Sequence, residues 1–358
     1  MLEQAIRKVA QEVRLLGQAR ESAAKLLRSQ SAAIALPSFD FLEPKLTLTV
    51  EKAPQTTKLL AVDGGILGEE LHSLDLFVAK ACAVMFHYKD GAVQGCDYYP
   101  SPFPPYEYTA EHSLQTHEFN WYKNLARINC ELDCTLGAIK TLSPDAVFLD
   151  GSIVPQVGDK PSHDSGAYPQ YDKALEKWKE IYELCDERGT ALLGIIKDSR
   201  GRRFIDLLLA SVPALAPYAT ALAKTNDTTF LHSLLQPGER TAAFKYSGDA
   251  SENTVLRDVG EWSKKVASFY VKPVEFDRPL RVDFLLGGDA KKIGQHASLV
   301  RSLSSDNQSY AYPGILIEAD LRAALEPQEM EAAKAMLASE LGLQPELFAL
   351  RRNSRPFR

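Results

Sequence analysis

Apolar side chains at Leu2, Ile6, Val9, Val13 and Leu16 alternate by four and three, a spacing that predicts one helix over residues 1 to about 33 with a coiled-coil seam. Such a stripe packs either on the protein's own core or on a partner helix, and the sequence leaves both open. Pro37 and Pro54 bracket an irregular stretch with one candidate strand, Leu46 to Val50. The run Leu59-Leu60-Ala61-Val62 predicts a buried strand that Asp63 closes. Residues 75–88 and 92–99 predict two further strands joined at Lys89-Asp90-Gly91, and the prolines of 100–105 an extended loop.

A helix is expected from about His112 to Leu142, then a strand from Ala146 to Asp150 and a long Pro-, Gly- and Ser-rich loop over 152–169. A helix near 171–188 stops at Gly189, and the strand Ala191 to Ile196 runs into the polar segment Lys197 to Arg203. After a helix near 204–223 come three candidate strands, Thr241–Tyr246, Ala267–Val271 and Leu280–Leu286. Helical periodicity returns at 290–303, 315–325 and 327–341. With no internal repeat and no linker, the pattern reads as a helical extension over 1–50, one mixed α/β domain over 51–345 and a basic tail over 346–358 carrying Arg351, Arg352, Arg355 and Arg358.

Composition changes this picture little. The 358 residues are 45% hydrophobic and 25% charged, as in ordinary globular proteins. A net charge of −6 gives no global attraction to nucleic acid, so such binding needs a local basic patch. Apolar stretches such as Ala79 to Phe86 are too short to span a bilayer. Five cysteines (Cys82, Cys96, Cys130, Cys134 and Cys185) without paired spacing predict reduced thiols and a cytoplasmic protein, and argue against a zinc site.

The candidate chemistry lies in two strand endings, Asp63-Gly64-Gly65 and Asp150-Gly151-Ser152. A buried strand seldom ends in a carboxylate, although Asp-Gly is also an ordinary turn pair. Three antiparallel strands, a helix and a fourth strand open the ribonuclease H-like fold, a mixed sheet flanked by helices. In that fold the first and fourth strands are neighbours, which would bring the two acids together. Like charges that close need a cation, and oxygen ligands suit Mg²⁺ or Mn²⁺. Glu131, on the intervening helix, is the expected third acid. Three carboxylates around one cleft suit two-metal hydrolysis of a phosphodiester.

Here the chain resembles the NurA family of DNA end-processing nucleases. The resemblance rests on Ala61-Val62-Asp63-Gly64-Gly65, on Phe148-Leu149-Asp150-Gly151-Ser152 with Glu131 before it, and on Tyr312-Pro313-Gly314-Ile315-Leu316-Ile317-Glu318-Ala319-Asp320, and its order covers roughly residues 55–325. The family often has Ser where Gly65 stands, and several members end the third motif in His where this chain has Asp320. The resemblance implies exonuclease and single-strand endonuclease activity in double-strand break repair, with Mn²⁺ or Mg²⁺, as two ions, on Asp63, Glu131, Asp150 and Asp320. It also implies a homodimer working beside a hexameric HerA-type ATPase. That ATPase would supply energy for translocation, since this chain has no GxxxxGK[ST] phosphate loop. Asp320 is expected near the first turns of its helix, where the dipole favours an acid. Tyr312 would bind phosphate or a metal-bound water, or simply cap the core edge.

Lys197 matches a family lysine after the fifth strand. With Arg200, Arg202 and Arg203 it would meet DNA phosphates, unless the run is a solvated loop. Tyr98, Tyr99, Phe103, Tyr106 and Tyr108 would stack on bases or, more simply, pack the proline loop. Two other functions fit parts of the pattern. An actin-like or sugar-kinase-like ATPase shares the core fold but lacks here an adenosine-binding glycine motif. A degenerate DNA-binding subunit would not need the full set of acids.

Overall fold

The computed structural model describes residues 2–249, 251, 253–287, 291–342 and 350. The arginines at 351, 352, 355 and 358 lie outside the described residues. The chain opens with helix α1 (Leu2–Ser29). Its last turns bury Ala23, Ala24 and Leu27 against a subsidiary core with Phe41, Phe204 and Phe230. Its first half does not touch that core: Leu2, Ile6, Val9 and Val13 are 77, 59, 60 and 56% exposed. The stripe named from the sequence therefore faces outward over Leu2 to Val13, and the helix packs at home through its last turns.

Strands β1 (Thr47–Thr49), β2 (Thr57–Glu70), β3 (Asp75–Lys89), β4 (Ala92–Tyr99) and β5 (Glu107–Glu111) precede α2 (Thr116–Leu142) and β6 (Ala146–Asp150). Then come α3 (Tyr168–Arg188), β7 (Ala191–Ile196), α4 (Arg203–Ser211), α5 (Ala219–Leu222) and α6 (Asp227–Leu234). The chain continues through β8 (Glu239–Thr241), β9 (Phe244–Lys245), β10 (Val266–Lys272), β11 (Leu280–Leu285), α7 (Lys291–Leu303), α8 (Gly314–Ala323) and α9 (Pro327–Leu341). These strands form one sheet in the order β1-β8-β10-β11-β7-β6-β2-β3-β4, with β5 on β3 and β9 on β10. Strand β6 runs parallel to both β2 and β7, while β2, β3 and β4 form an antiparallel meander. This is the mixed, helix-flanked ribonuclease H-like arrangement.

Alternation of side chains splits the core into two layers. Leu60, Val62, Val147 and Leu149 pack under α2 and α3. Leu59, Ala61, Ala146 and Phe148 face the other way, onto a layer that includes Ile293, Tyr312, Ile315 and Leu316 from α7, α8 and the residues before α8. None of the described helices is long and apolar enough to cross a membrane.

Several elements differ from expectation. Asp63 does not close its strand: β2 runs on to Glu70, paired with β3 to its end at Glu70↔Asp75. The glycines that suggest a turn instead make room for crossing helices. A side chain at Gly64 would strike Glu131 of α2, and one at Gly65 would strike the carbonyl of Ala323 at the end of α8. The helix expected over 204–223 breaks at Pro213 and Pro217, which cannot continue an α-helical ladder, into α4, a 3-10 stretch and α5. Helix α6 was not foreseen, although Asn226 caps it by accepting from the Thr229 amide at 2.9 Å. The single strand expected over 241–246 is two short ones, and β5 forms over 107–111, where no element was expected. Of the aromatics near the proline loop, Tyr98 donates to Glu318 at 2.9 Å and Tyr99 lies on Gly137, Tyr106 bonds Glu329 from an exposed position, and Phe103 and Tyr108 are exposed.

Because the obstacle at Gly65 is backbone rather than a mobile side chain, Gly65→Ala should cost roughly 1–3 kcal/mol of stability. Urea unfolding should report it as a lower midpoint with an unchanged slope.

Candidate active site

Parallel pairing of β2 with β6 ends at Val62↔Leu149. The next residues on the two strands are Asp63 and Asp150, so the acids stand side by side where the ladder stops. Alternation turns both toward the α8 face. The Gly64 amide donates to Asp63 Oδ1 at 2.7 Å. Glu131 comes from α2 on the opposite face and reaches the same edge because Gly64 has no side chain to block it. The backbone turns after Asp150 through Gly151 at φ 118°, a region that favours glycine.

The acids feel one another. Burial, then the charges of Asp150 and Glu131, push Asp63 up to about 8 against the stabilising Gly64 amide, with a smaller push from Asp320. Burial likewise raises Glu131 to about 7, although Arg127 one turn earlier forms an ion pair with it. Lys197 Nζ stands 3.0 Å from Asp150 Oδ2. Burial opposes its charge, but the Asp150 carboxylate outweighs this and holds the ammonium above its ordinary value. Thus two of the three acids already carry a resident cation. Among the described residues, no three His, Cys, Asp or Glu side chains stand close enough to hold a metal ion as they are. The donor chemistry nonetheless fits a hard divalent ion, because buried carboxylates that resist ionising together are relieved by positive charge. Glu131 and Asp150 would turn from Arg127 and Lys197 to receive it.

Tyr312 is buried in the same corner. Its hydroxyl lies 3.5 Å from the Ile195 carbonyl, and its ring lies under Lys197 Nζ at 4.3 Å from the ring centre. Burial, then the adjoining Asp150 carboxylate, push the phenol far above its usual range, so it remains a hydrogen-bond donor. Asp320 is exposed and sits in the last turn of α8, not near its first. The expected help from a helix N-terminus is therefore absent.

The basic segment divides. Arg200 is exposed and lines a cavity of about 480 Å³ bounded also by Glu131, Asp150 and Arg281. Arg202 instead donates to the carbonyls of Leu222, Ala223 and Thr225 and pairs with Asp206 at 2.8 Å, while Arg203 pairs with Asp40 at 2.6 Å. Arg202 ties α4 to the 222–225 segment and Arg203 ties it to the segment before β1, which corrects their expected place on phosphate.

Sequence reasoning missed three participants. Arg127 carries a helical signal, four residues before Glu131. Asp159 lines the same cavity and accepts from Asn124 at 3.1 Å. Asp283 is fully buried, accepts from Ser152 at 2.7 Å and Ser268 at 2.6 Å, and pairs with Arg281 at 2.7 Å. Its signal was an acid inside the apolar run Val282-Asp283-Phe284. Through Ser152 this network anchors the turn that follows Asp150.

A search of the curated proteins found no match. Among solved structures, the NurA nuclease from Sulfolobus solfataricus aligns with a TM-score of 0.58 at 15% identity, over 96% of this chain and 98% of that one. A NurA bound to dAMP and manganese aligns at 0.56 and 10%, over 97% and 99%, and a NurA with manganese at 0.55 and 10%, over 94% and 98%. The fold is shared across nearly the whole length. The family model described as the NurA domain matches residues 57–325, three quarters of the sequence, and the chain belongs to the NurA domain family.

Proposed function

We propose that this protein is a Mn²⁺- or Mg²⁺-dependent DNA nuclease that trims DNA ends as an exonuclease and cuts single strands as an endonuclease. The observation that carries the reading is the meeting of Asp63, Glu131 and Asp150, from two strands and a helix, at one partly buried edge with their charges mutually opposed. Two divalent ions on Asp63, Glu131 and Asp150, with Asp320 at the rim, would activate water and neutralise the leaving oxygen. The chain's own side chains do the rest. Lys197, beside Asp150, and Arg200, in the cavity wall, would hold phosphate, Tyr312 would donate to it from under Lys197, and the Asp283–Ser152 bond keeps the Asp150 turn in place. The adjoining cavity, with Arg127 and Arg281 in its walls, suits one nucleotide. That a family structure holds dAMP and manganese supports the same assignment.

The outward half of α1 supports a homodimer. Its heptad stripe continues the one that packs at home, and a second copy of the same helix would cover Leu2, Ile6, Val9 and Val13. A HerA-type hexameric ATPase would feed DNA to this dimer during double-strand break repair. That role rests on the family.

Three outcomes follow. Asp63→Ala and Asp150→Ala should each lower cleavage of a labelled single strand in Mn²⁺ by at least 100-fold while DNA binding persists; a variant that cuts normally would remove the assignment. The second outcome concerns pH. An ordinary Asp titrates near 3.9 and folded Asp63 near 8, so the stability tied to its protonated form is complete below about pH 4 and lost as pH rises to 8. Metal-free Asp63→Asn should therefore melt at the same temperature as wild type near pH 4 and several degrees higher at pH 8. Mn²⁺ should close that gap by stabilising wild type. Third, Ile6→Glu with Val13→Glu should convert a dimer to a monomer by light scattering, with the melting temperature little changed.

A further inference from the structure

A second groove, of about 720 Å³, opens on the other side of the Lys197-Asp198 strap from the nucleotide cavity; Asp198 lines both. The acid site touches this groove directly, since Lys197 and Tyr312 form part of its wall. Two aromatic residues stand open on it, Phe276 at 73% and Tyr310 at 47% exposure. A single exposed aromatic needs no explanation. These two are brought to the same groove by loops that are joined. Phe276 sits on the β10–β11 connection and Tyr310 on the α7–α8 connection, and the Asp277 carboxylate joins the loops by accepting from the Ala311 amide at 2.6 Å. Tyr310 also rests against Tyr312, ring centres 6.1 Å apart. Arg278 adds a cation to the groove and reaches Asp198 at 3.5 Å.

Exposed flat rings beside cations, continuous with a phosphate-binding lysine, form the combination that binds unpaired bases. Duplex bases stack on one another and offer no face to such rings. We propose that this groove is a subsite for single-stranded nucleic acid, in which Phe276 and Tyr310 stack on the bases next to the phosphate held at Lys197. The inference rests on the nuclease reading and adds to it a strand path: one nucleotide in the closed cavity, the continuing strand over the aromatic pair. It also implies a preference for unpaired strands, because a duplex end would have to unpair before its strand could follow this path.

The test uses full-length protein with Ca²⁺ in place of Mn²⁺ and single-stranded oligonucleotides carrying 2-aminopurine at successive positions from one end. Wild type should quench fluorescence at one or two adjacent positions, the signature of stacking. Phe276→Ala with Tyr310→Ala should abolish that quench and weaken single-strand binding roughly 10- to 100-fold, leaving blunt duplex binding within a factor of two. Phe276→Tyr with Tyr310→Phe should restore both. An unchanged quench and affinity in the alanine pair, or an equal loss for single strand and duplex, overturns the subsite while the nuclease assignment stands. A wild-type protein that binds no DNA at all removes both.

Discussion

The place where β6 stops pairing with β2 sets the chemistry of this protein. Hydrogen bonds along a parallel ladder force Asp63 and Asp150 into neighbouring positions once Val62 and Leu149 are paired. Two carboxylates in one part-buried corner repel, and removing water from around them makes the repulsion stronger. The sheet pays for this with the apolar layers on both faces, which hold the strands in register whatever the acids prefer. What remains at the edge is an unmet demand for positive charge. Lys197 and Arg127 meet part of it, and a divalent ion would meet the rest.

The glycines show how tightly that corner is built. Gly64 lets a helix on the far face deliver Glu131 to the edge, and Gly65 lets α8 end against the strand. Gly194 performs the same service on β7, where a side chain would run into the carbonyl of Gly151 just beyond Asp150. At Gly65 and Gly194 another backbone, and at Gly64 the Glu131 side chain itself, comes within a distance that excludes a methyl group. The site is therefore a product of packing as much as of its charged residues.

The acids at 63, 131 and 150 were legible because fold order and hydrophobic runs place them without any knowledge of side-chain contacts. The strand ending at Asp63 was misread because Gly-Gly signals both a turn and a close crossing, and only the partner strand β3 decides between them. Arg202 and Arg203 look like their neighbour Arg200 in the sequence. Their fates diverge because helix ends at 222–225 present free carbonyls to one and Asp40 lies within reach of the other, contacts spanning up to 163 residues. Asp159 sits in a single 3-10 turn, and Phe276 and Tyr310 in loops, whose course no periodicity reports. Local pattern specifies which strand a residue occupies, but long-range packing specifies which cations stay free.

That last distinction bears on how the proposed nuclease would engage DNA. Lys197 and Arg127 are bound to the very carboxylates that a divalent ion would claim. A carboxylate that turns to a metal gives up its ion pair, and the released ammonium or guanidinium then needs another anion close by. The phosphate of a bound strand is the anion on offer at Lys197, and a nucleotide entering the adjoining cavity would meet Arg127 in its wall. Metal and DNA would then favour each other's binding without any movement of the backbone, because each supplies the charge that the other displaces. Arg202 and Arg203 take no part in such an exchange, since their partners are fixed parts of the fold. The division between exchangeable and committed cations, rather than net charge, is what would make an acidic protein of this kind bind nucleic acid at one edge.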